Sequence, residues 1–299
     1  MIVAEVLIVA PLVLDDVTTP AGAYRGELGG SATYAALAAR HFAPTAIAAI
    51  LGDDFRADYM ERLAGVDLSR VQRMPGSSFR WVAVHHVDGS TETRSNDPGA
   101  TRALLPPLGD TRDSYVLLGA FEPALQERAL GAQGPLPLGP AKFVAIDTMP
   151  CYIDEDAPRL RRAIAGSDLV FLTVEEAARL VRARDPESIR RALGTRILVL
   201  KDAARGAVIC EEHVAFSVPA YRTTVVDATG AGDAFAGAFV ATLAERDASD
   251  EHTLRLAGCR GAAAASIAIE DFGPRALERA DRAEIERRSN TLLVAGALA

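Results

Sequence analysis

A glycine-rich stretch with an acid at each end, Asp227–Asp233, carries the residue types and spacing that most clearly indicate chemistry. Gly230 and Gly232 allow a ligand to approach the backbone without meeting a side chain. A helix that follows the stretch leaves N–H groups unpaired in its first turn, and its dipole adds partial positive charge there. The amides of Gly230, Ala231 and Gly232 are therefore predicted to form an anion hole for a phosphoryl group.

Asp233 places a carboxylate beside this predicted anion hole, and two interpretations are open. An acid in the first turn of a helix complements the dipole and needs no catalytic role. As a catalyst, the same carboxylate would accept the proton of an attacking hydroxyl beside the phosphoryl group being transferred.

Composition and charge narrow the class of protein. The chain has 299 residues, 49% of them apolar, which is enough for one large α/β domain over residues 1–299. Its net charge of −8, without a cluster of Lys and Arg, argues against a nucleic-acid partner. The three scattered cysteines fit a reducing compartment. The start lacks a basic leader and no apolar run reaches membrane-spanning length, so we expect a cytoplasmic protein with no membrane partner.

Short β-branched runs alternate with alanine-rich stretches, which predicts a doubly wound, mostly parallel sheet flanked by helices. The predicted strands are Val6–Ala10, Thr45–Leu51, Tyr115–Gly119, Lys142–Asp147, Leu169–Thr173, Ile197–Leu200 and Ala207–Cys210. The predicted helices are Ser31–Ala43 with Ser31 as its cap, one capped by Asp53 or Asp54, Ala157–Ala165, Glu175–Arg184, Pro186–Leu193, one carrying Phe235, Phe239 and Leu243 on one face, and Leu256–Ile269. Tyr221–Val226 reads as an extended segment before the glycine-rich turn.

One region departs from this alternation. Residues Phe79–Val87 and Ser90–Ser95, joined at Asp88-Gly89, predict a β-hairpin with a tight turn over residues 79–95. A helix-free hairpin in an α/β chain is read either as an appended flap or as a surface hairpin without a role. Arg80 and Trp81 on this hairpin are candidates for contact with a substrate, with a place in the core as the alternative for Trp81.

The stretch Asp227–Asp233 resembles the C-terminal signature of the ribokinase/PfkB carbohydrate kinase family, and the resemblance continues in motif order along nearly the whole chain. It implies a ribokinase-like fold with a small β lid, which includes the hairpin, and homodimerisation through that lid. It also implies transfer of the γ-phosphoryl group of ATP to a small-molecule alcohol, a sugar, polyol or nucleoside. Asp233 would be the general base, and the amides of Gly230, Ala231 and Gly232 would stabilise the transferred charge.

The resemblance also implies which residues hold the acceptor. Gly29 and Gly30 match a glycine pair that lines the substrate pocket in the family, whereas Tyr34 stands where the family usually has asparagine. Asp15 follows the first predicted strand, where a family acid binds sugar hydroxyls. Asp16 is its competitor, and a turn-capping role is the alternative for both.

Nucleotide and metal positions follow by the same resemblance. Glu176 matches the glutamate of a family Asn-x-x-Glu motif that orients Mg²⁺ and phosphates, often through water, but Thr173 replaces the asparagine. Glu175 is the competing candidate for this role. The plain alternative is that Thr173 caps a helix and that both acids complement the helix dipole.

Three more predicted positions concern ATP and a cation. Lys201, Gly206 and Thr229 are expected beside the nucleotide, with Ala203 in place of a usual glycine. In some members, backbone carbonyls of the loop that corresponds to residues 270–273 bind a monovalent cation such as K⁺ together with the acid that corresponds to Asp227.

The acceptor and the competing functions stay open. The segment Asp147–Pro150 lacks an arginine that many members carry, and with Tyr34 this favours a nucleoside or polyol over ribose or a sugar phosphate. A non-catalytic nucleotide- or sugar-binding protein is the alternative, because Thr173 and Ala203 depart from the family pattern. A Rossmann dehydrogenase is excluded, since no Gly-x-Gly-x-x-Gly follows the first strand.

Overall fold

The computed structural model of the chain describes residues 5–102, 104–112, 114–131, 138–212 and 214–296. The strands in these residues are β1 (Val6–Val9), β2 (Val13–Thr19), β3 (Gly22–Gly29), β4 (Thr45–Leu51), β5 (Asp67–Arg73), β6 (Phe79–His85), β7 (Thr91–Asp97), β8 (Tyr115–Leu118), β9 (Phe143–Ile146), β10 (Leu169–Thr173), β11 (Ile197–Lys201), β12 (Ala207–Glu211) and β13 (Val214–Val218). The helices are α1 (Ser31–Ala39), α2 (Ala57–Glu61), α3 (Pro123–Ala129), α4 (Pro150–Ala165), α5 (Val174–Leu180), α6 (Pro186–Leu193), α7 (Ala231–Arg246), α8 (Glu251–Ala268), α9 (Arg275–Arg279) and α10 (Arg282–Gly296).

The larger sheet has the strand order β13-β12-β11-β10-β9-β8-β1-β4-β5. All neighbours from β5 to β11 pair in parallel, and only the pairs β11–β12 and β12–β13 of the described strands in this sheet are antiparallel. The predicted mostly parallel α/β sheet is therefore confirmed. Because parallel strands end at the same edge, the carboxyl ends of β1, β9, β10 and β11 lie side by side, where ligands bind in such sheets.

Helices cover both faces of this sheet, and the alternation of side chains along each strand creates two cores. In β1, Val6 and Ile8 pack with α1, α7 and α8, whereas Leu7 and Val9 pack with α3 to α6. Strands buried on both faces read as continuous apolar runs, which is why the sequence predicted β4 and β10 with the bounds that the structure has. Helix α6 also has its predicted bounds, because Pro186 begins it and Gly194 follows it with a left-handed backbone.

A second sheet, with the order β3-β2-β6-β7, contains the predicted hairpin and is called the lid below. The hairpin turn is longer than the predicted Asp-Gly pair. The His86 N–H donates to the Ser90 carbonyl (2.9 Å), which leaves a three-residue loop, and Gly89 takes the positive φ of 85° that ends such a loop. The sequence did not predict strands β2 and β3. A bulge between Asp15 and Val17 interrupts the regular pairing of the two strands.

Two predicted caps are wrong. Ser31 is the first helical residue of α1 and makes no cap, because Gly30 occupies the N-cap position with φ +84°. The next helix is preceded by Arg56, and the carboxylates of Asp53 and Asp54 instead accept the N–H groups of Gly76 and Ser78. Both acids therefore fix the loop that leads into the lid.

Other boundaries shift for local reasons. Helix α4 begins at Pro150, seven residues before the predicted start, and bends at Asp156, two residues before Pro158. Tyr221–Val226 is a loop without strand pairing. None of the helices in the described residues is long and apolar enough to cross a bilayer.

Helices α1, α7 and α8 pack closely because glycines lie where they cross. A Cβ atom added to Gly237 of α7 would lie 2.1 Å from the Ala35 carbonyl oxygen of α1, and one added to Gly261 of α8 would lie 3.0 Å from the Phe235 ring. Helix α8, whose centre is rich in glycine and alanine, therefore packs directly on α7. It fixes α7 relative to the sheet.

We expect the Gly237→Ala substitution to lower the free energy of unfolding by about 3 kcal/mol, because a backbone contact of 2.1 Å cannot be relieved by a side-chain rotation. Denaturant unfolding measures the change. Gly166→Ala is the matched control: its added Cβ would meet nothing closer than 3.5 Å, so unfolding should be unchanged. Equal effects of the two substitutions would contradict the tight crossing.

Candidate active site

The carboxyl ends of β9, β10 and β11, the N-termini of α1 and α7, and the lid enclose a cavity of about 310 Å³. The charged and titratable side chains that line it within the described residues are Asp15, Tyr34, His85, Asp147, Tyr152, Glu176, Lys201 and Asp233. Most of the residues that the sequence singled out are therefore brought together. We call the part of the cavity near α7 the transfer end and the part under the lid the acceptor end.

Two glycines shape the turn that opens α7. Gly230 is the N-cap with φ +74°, and a Cβ there would lie 2.1 Å from the Tyr34 ring. A Cβ on Gly232 would lie 3.1 Å from the Lys201 Nζ atom. Ala231 is the first helical residue. Its N–H group and those of the next residues therefore belong to the first turn, whose N–H groups have no hydrogen-bond partner within the helix. The glycine turn and the helix start that the sequence predicted are therefore present. The Ala231 N–H donates to the Ala228 carbonyl oxygen at 3.5 Å, and the binding of an anion at this turn stays a prediction.

Asp233 lies in this first turn and faces the cavity. The Ser31 hydroxyl of α1 donates a hydrogen bond to its Oδ1 atom. Burial raises the pKa of Asp233 to about 6, the charge of Asp147 adds to this, and Ser31 and Lys201 act in the opposite direction. A carboxyl with a pKa near 6 is ionised at neutral pH and is a stronger base than an ordinary aspartate.

Lys201 and Asp147 form a buried ion pair above the end of β10. The Lys201 Nζ atom donates to both carboxylate oxygens of Asp147 at 2.9 and 3.1 Å, and the Thr148 N–H donates to Oδ1 at 2.9 Å. Burial alone would lower the pKa of Lys201, but the charges of Asp147 and Glu176 raise it above its usual value. The ammonium is therefore charged at neutral pH.

The acceptor end contains polar groups without partners. Asp15 is 1% exposed, and both of its carboxylate oxygens lack a hydrogen bond within the described residues, as do the buried hydroxyls of Tyr34 and Thr148. Burial, with the charges of Asp227 and Asp233, raises the pKa of Asp15 well above its ordinary value, although the nearby backbone of Gly30 acts in the opposite direction. Unpartnered buried polar groups that line one cavity indicate a polar ligand, because such groups are normally satisfied.

The glycine pair before α1 makes room for this arrangement. A Cβ on Gly29 would lie 1.8 Å from the Asp15 Oδ2 atom, and a Cβ on Gly30 would lie 2.6 Å from the Pro11 carbonyl oxygen. Of the two candidate acids, Asp15 lines the cavity, whereas Asp16 accepts the Gly26 N–H at 2.6 Å. Asp15 is thus the better placed of the two to contact an acceptor.

The Asp227 carboxylate holds neighbouring segments of the chain in place through hydrogen bonds. Its Oδ1 atom accepts the Thr229 N–H and hydroxyl at 3.0 and 2.7 Å, and its Oδ2 atom accepts the Tyr24 hydroxyl at 2.8 Å and the Gly273 N–H at 3.0 Å. A carboxylate with four donors has little capacity left for a cation. The geometry therefore does not support Asp227 as a metal ligand and assigns it the fixing of the signature turn.

Glu176 and Thr173 form a capping box at the start of α5. The Thr173 hydroxyl accepts the Glu176 N–H at 3.2 Å, and the Glu176 Oε2 atom accepts the Thr173 N–H at 2.7 Å. Both residues also line the cavity. No group of three or more His, Cys, Asp or Glu side chains suited to a metal ion occurs in the described residues.

Three other predicted positions differ in their placement. The Arg80 guanidinium lies 3.4 Å from Asp54 and outside the cavity lining, because alternation along β6 turns Trp81, not Arg80, toward the cavity. Gly206 has φ +97°, follows a 3₁₀ turn of Ala203–Arg205 and is not among the residues that line the cavity. Ala203 itself has a positive φ of 43°, so it keeps the backbone conformation that suits the glycine it replaces.

His85 of the lid is a site residue that the sequence reasoning missed. Its Nε2 atom is 2.8 Å from the Thr229 hydroxyl and its Nδ1 atom is 2.8 Å from the Thr91 hydroxyl. Burial lowers the pKa of His85, so the imidazole is neutral at physiological pH. The two-residue period of β6, which puts His85 on the face of Trp81, is the signal that could have identified it.

Comparison with known proteins matches residues 5–280 to the family model described as pfkB family carbohydrate kinase. A cytidine kinase of Thermococcus kodakarensis is 29% identical over 75% of this chain and 80% of its own length. A 2-dehydro-3-deoxygluconokinase of Thermoproteus tenax is 28% identical over 71% of each chain. A Burkholderia thailandensis nucleoside kinase, solved with inosine, shares the fold with a TM-score of 0.80, 21% identity, and coverage of 97% of this chain and 99% of its own.

We expect Asp227→Asn to lower the free energy of unfolding by about 3 kcal/mol, since the amide NH₂ group would face at least one of the donors that the carboxylate accepts. Denaturant titration without nucleotide measures this, in Na⁺ and in K⁺ buffers. Asp58→Asn, at an exposed carboxylate paired with Arg56, is the control and should leave the midpoint unchanged. A loss confined to K⁺ buffer would instead identify Asp227 as a cation ligand.

Proposed function

The chain belongs to the pfkB family of carbohydrate kinases and is an ATP-dependent kinase of a small sugar or nucleoside, and on this premise we propose that its acceptor is a nucleoside and that Asp233 is its general base. The observation that carries the choice of acceptor is the unpartnered Asp15 carboxylate in a cavity whose lid side is aromatic.

The transfer end has the parts that phosphoryl transfer needs. Asp233 accepts the proton of the attacking hydroxyl, and the Ser31 hydroxyl orients its carboxylate. The first-turn amides of Gly230, Ala231 and Gly232 face the charge that develops on the transferred phosphoryl group, and Lys201 adds a positive charge beside Gly232. The acceptor hydroxyl then carries the phosphoryl group, and ADP leaves.

ATP binding would use the surroundings of the anion hole, where the sequence predicts Lys201, Gly206 and Thr229. A divalent cation such as Mg²⁺ neutralises phosphate charge when bound. Glu176, which lines the cavity, is the residue that would contact such an ion, through water. A monovalent cation near residues 270–273 stays a prediction from the family resemblance.

The acceptor end fits a ribose joined to a planar base. The two free oxygens of Asp15 can accept both hydroxyls of a vicinal diol, and the Tyr34 hydroxyl adds a further polar contact. Phe79 and Trp81 of the lid and Tyr152 of α4 offer apolar faces for a base. In the described residues, Lys201 is the only Lys or Arg that lines the cavity, so the acceptor end lacks a cation for an anionic sugar acid or sugar phosphate.

The lid would exclude water, so that ATP is not lost to hydrolysis. His85 joins it to Thr229 of the signature turn. Homodimerisation through the lid stays part of the proposal: β3 and β7 are the edges of the small sheet, and exposed edges are available for pairing with a second copy.

We expect Asp233→Asn to reduce kcat by about 10²- to 10⁴-fold, because the amide cannot accept the proton. In the wild-type enzyme, kcat/KM should fall below a pH of about 6, since the base works only when ionised and burial raises its pKa to that value. Coupled ADP release measures turnover, and calorimetry measures ATP binding, which should be near normal. Retained turnover in the variant would refute the assignment.

We expect nucleosides such as cytidine and inosine to stimulate ADP release more than ribose, fructose or 2-dehydro-3-deoxygluconate does. Trp81→Ala should raise the nucleoside KM about 10- to 100-fold through lost stacking and leave the ribose KM unchanged. Arg80→Ala, which alters the adjacent side chain on the opposite face of β6, is the control and should change neither value. An equal effect of Trp81→Ala on ribose would argue against a base subsite. No stimulation by any acceptor, with ATP still bound, would favour the non-catalytic alternative.

A further inference from the structure

Lys201 and Asp147 reach each other across a neighbouring strand. Asp147 follows β9 and Lys201 ends β11, with β10 between them. Two strand spacings amount to about 9.6 Å, so the lysine must extend over the end of β10 to bring its Nζ atom within 2.9 Å of the carboxylate. A long side chain that is held in one direction indicates that the position of its ammonium group matters for the site.

The position of the ammonium is unfavourable without its partner. The Nζ atom lies 3.1 Å from where a Gly232 Cβ would be, in the first turn of α7. The N-terminus of a helix carries partial positive charge and repels a cation. The Asp147 carboxylate, 4% exposed and bound on both oxygens, supplies the compensating charge. Its Oδ1 atom is oriented in turn by the Thr148 N–H.

We propose that Asp147 is a positioning residue. It holds the Lys201 ammonium beside the anion hole and, until a phosphate arrives, offsets the effect of the ammonium charge on Asp233. This inference rests on the proposed function. An entering phosphate would share the ammonium with Asp147, so Lys201 would not need to be recruited from solvent. No bond is made or broken by this exchange of hydrogen-bond partners.

The charges around Asp233 support a test by pH dependence. In the described residues that line the cavity, the charged side chains facing this carboxylate are Asp15 from β2, Asp147 after β9, Glu176 from α5 and Lys201 from β11, and His85 of the lid is neutral. Asp147 raises the pKa of Asp233 and Lys201 lowers it. Removing either member of the pair should therefore move the acidic limb of the rate profile, in opposite directions.

The experiment compares three variants of the whole chain. We expect Asp147→Asn to move the acidic limb of kcat/KM about one unit to lower pH, and Lys201→Gln to move it to higher pH. In Asp147→Asn, kcat should fall about 10-fold while ATP binds at least as tightly, since the site gains one positive charge. Asp147→Glu keeps the charge, so its limb should stay near the wild-type pH.

A double variant, Asp147→Asn with Lys201→Gln, removes both charges and should return the limb toward the wild-type pH while turnover stays low. It also covers the case in which a single variant does not fold, because removing both partners leaves neither member of the pair behind as an unpaired buried charge. Asp154→Asn, an exposed acid on α4 paired with Arg179, is the charge-matched control and should leave the profile in place.

The inference is overturned if the limb stays at the wild-type pH in both single variants, or if Asp147→Glu shifts it as far as Asp147→Asn does. Failure of the proposed function has a different signature. It would appear as retained turnover in Asp233→Asn, or as a wild-type profile without a limb near pH 6.

Discussion

The site depends on holding several carboxylates close together in a buried cavity. Burial raises the pKa of each of four carboxylates that line it, which are Asp15, Asp147, Glu176 and Asp233. Such a cluster is tolerated only where positive charge and hydrogen-bond donors offset the desolvation of the ionised forms. Here the offset comes from Lys201, the Ser31 hydroxyl, the capping amide of Thr173 and the positive end of α7. The acceptor end lacks an equivalent, which leaves Asp15 for a ligand to satisfy.

The backbone of α7 must be positioned accurately for these charged groups to lie close together, and glycines at the contacts make this possible. Gly230 lets the Tyr34 ring lie against the turn, Gly232 admits the Lys201 ammonium, and Gly237 lets α1 cross closely. Since α1 carries Ser31 and Tyr34 and α7 carries Asp233, one helix crossing sets both the base and part of the acceptor pocket. The packing of the core and the geometry of the site are therefore the same constraint.

The sequence predicts the parallel sheet well, because fully buried strands such as β4 and β10 read as apolar runs whatever their neighbours are. The lid was half predicted: β6 and β7 show alternation and an Asp-Gly turn, whereas β2 and β3 are interrupted by a bulge, acids and glycines. The signature turn indicated Asp233 and the anion hole from local pattern alone. The partners of these residues were not predictable in this way, because Ser31 and Asp233 are 202 positions apart and Lys201 and Asp147 are 54 apart.

The same limit explains why Asp227 and His85 change meaning once the fold is known. From sequence, Asp227 is one end of an acidic signature and suggests a cation, and His85 is one histidine in a hairpin. In the structure, Asp227 collects donors from β3, the signature turn and the loop at Gly273, and His85 adds the lid to this group through Thr229. The turn that would bind phosphate is thus tied directly to the sheet that covers the acceptor. The His85–Thr229 contact therefore joins β6 of the small sheet to the residue that precedes Gly230, the N-cap of α7.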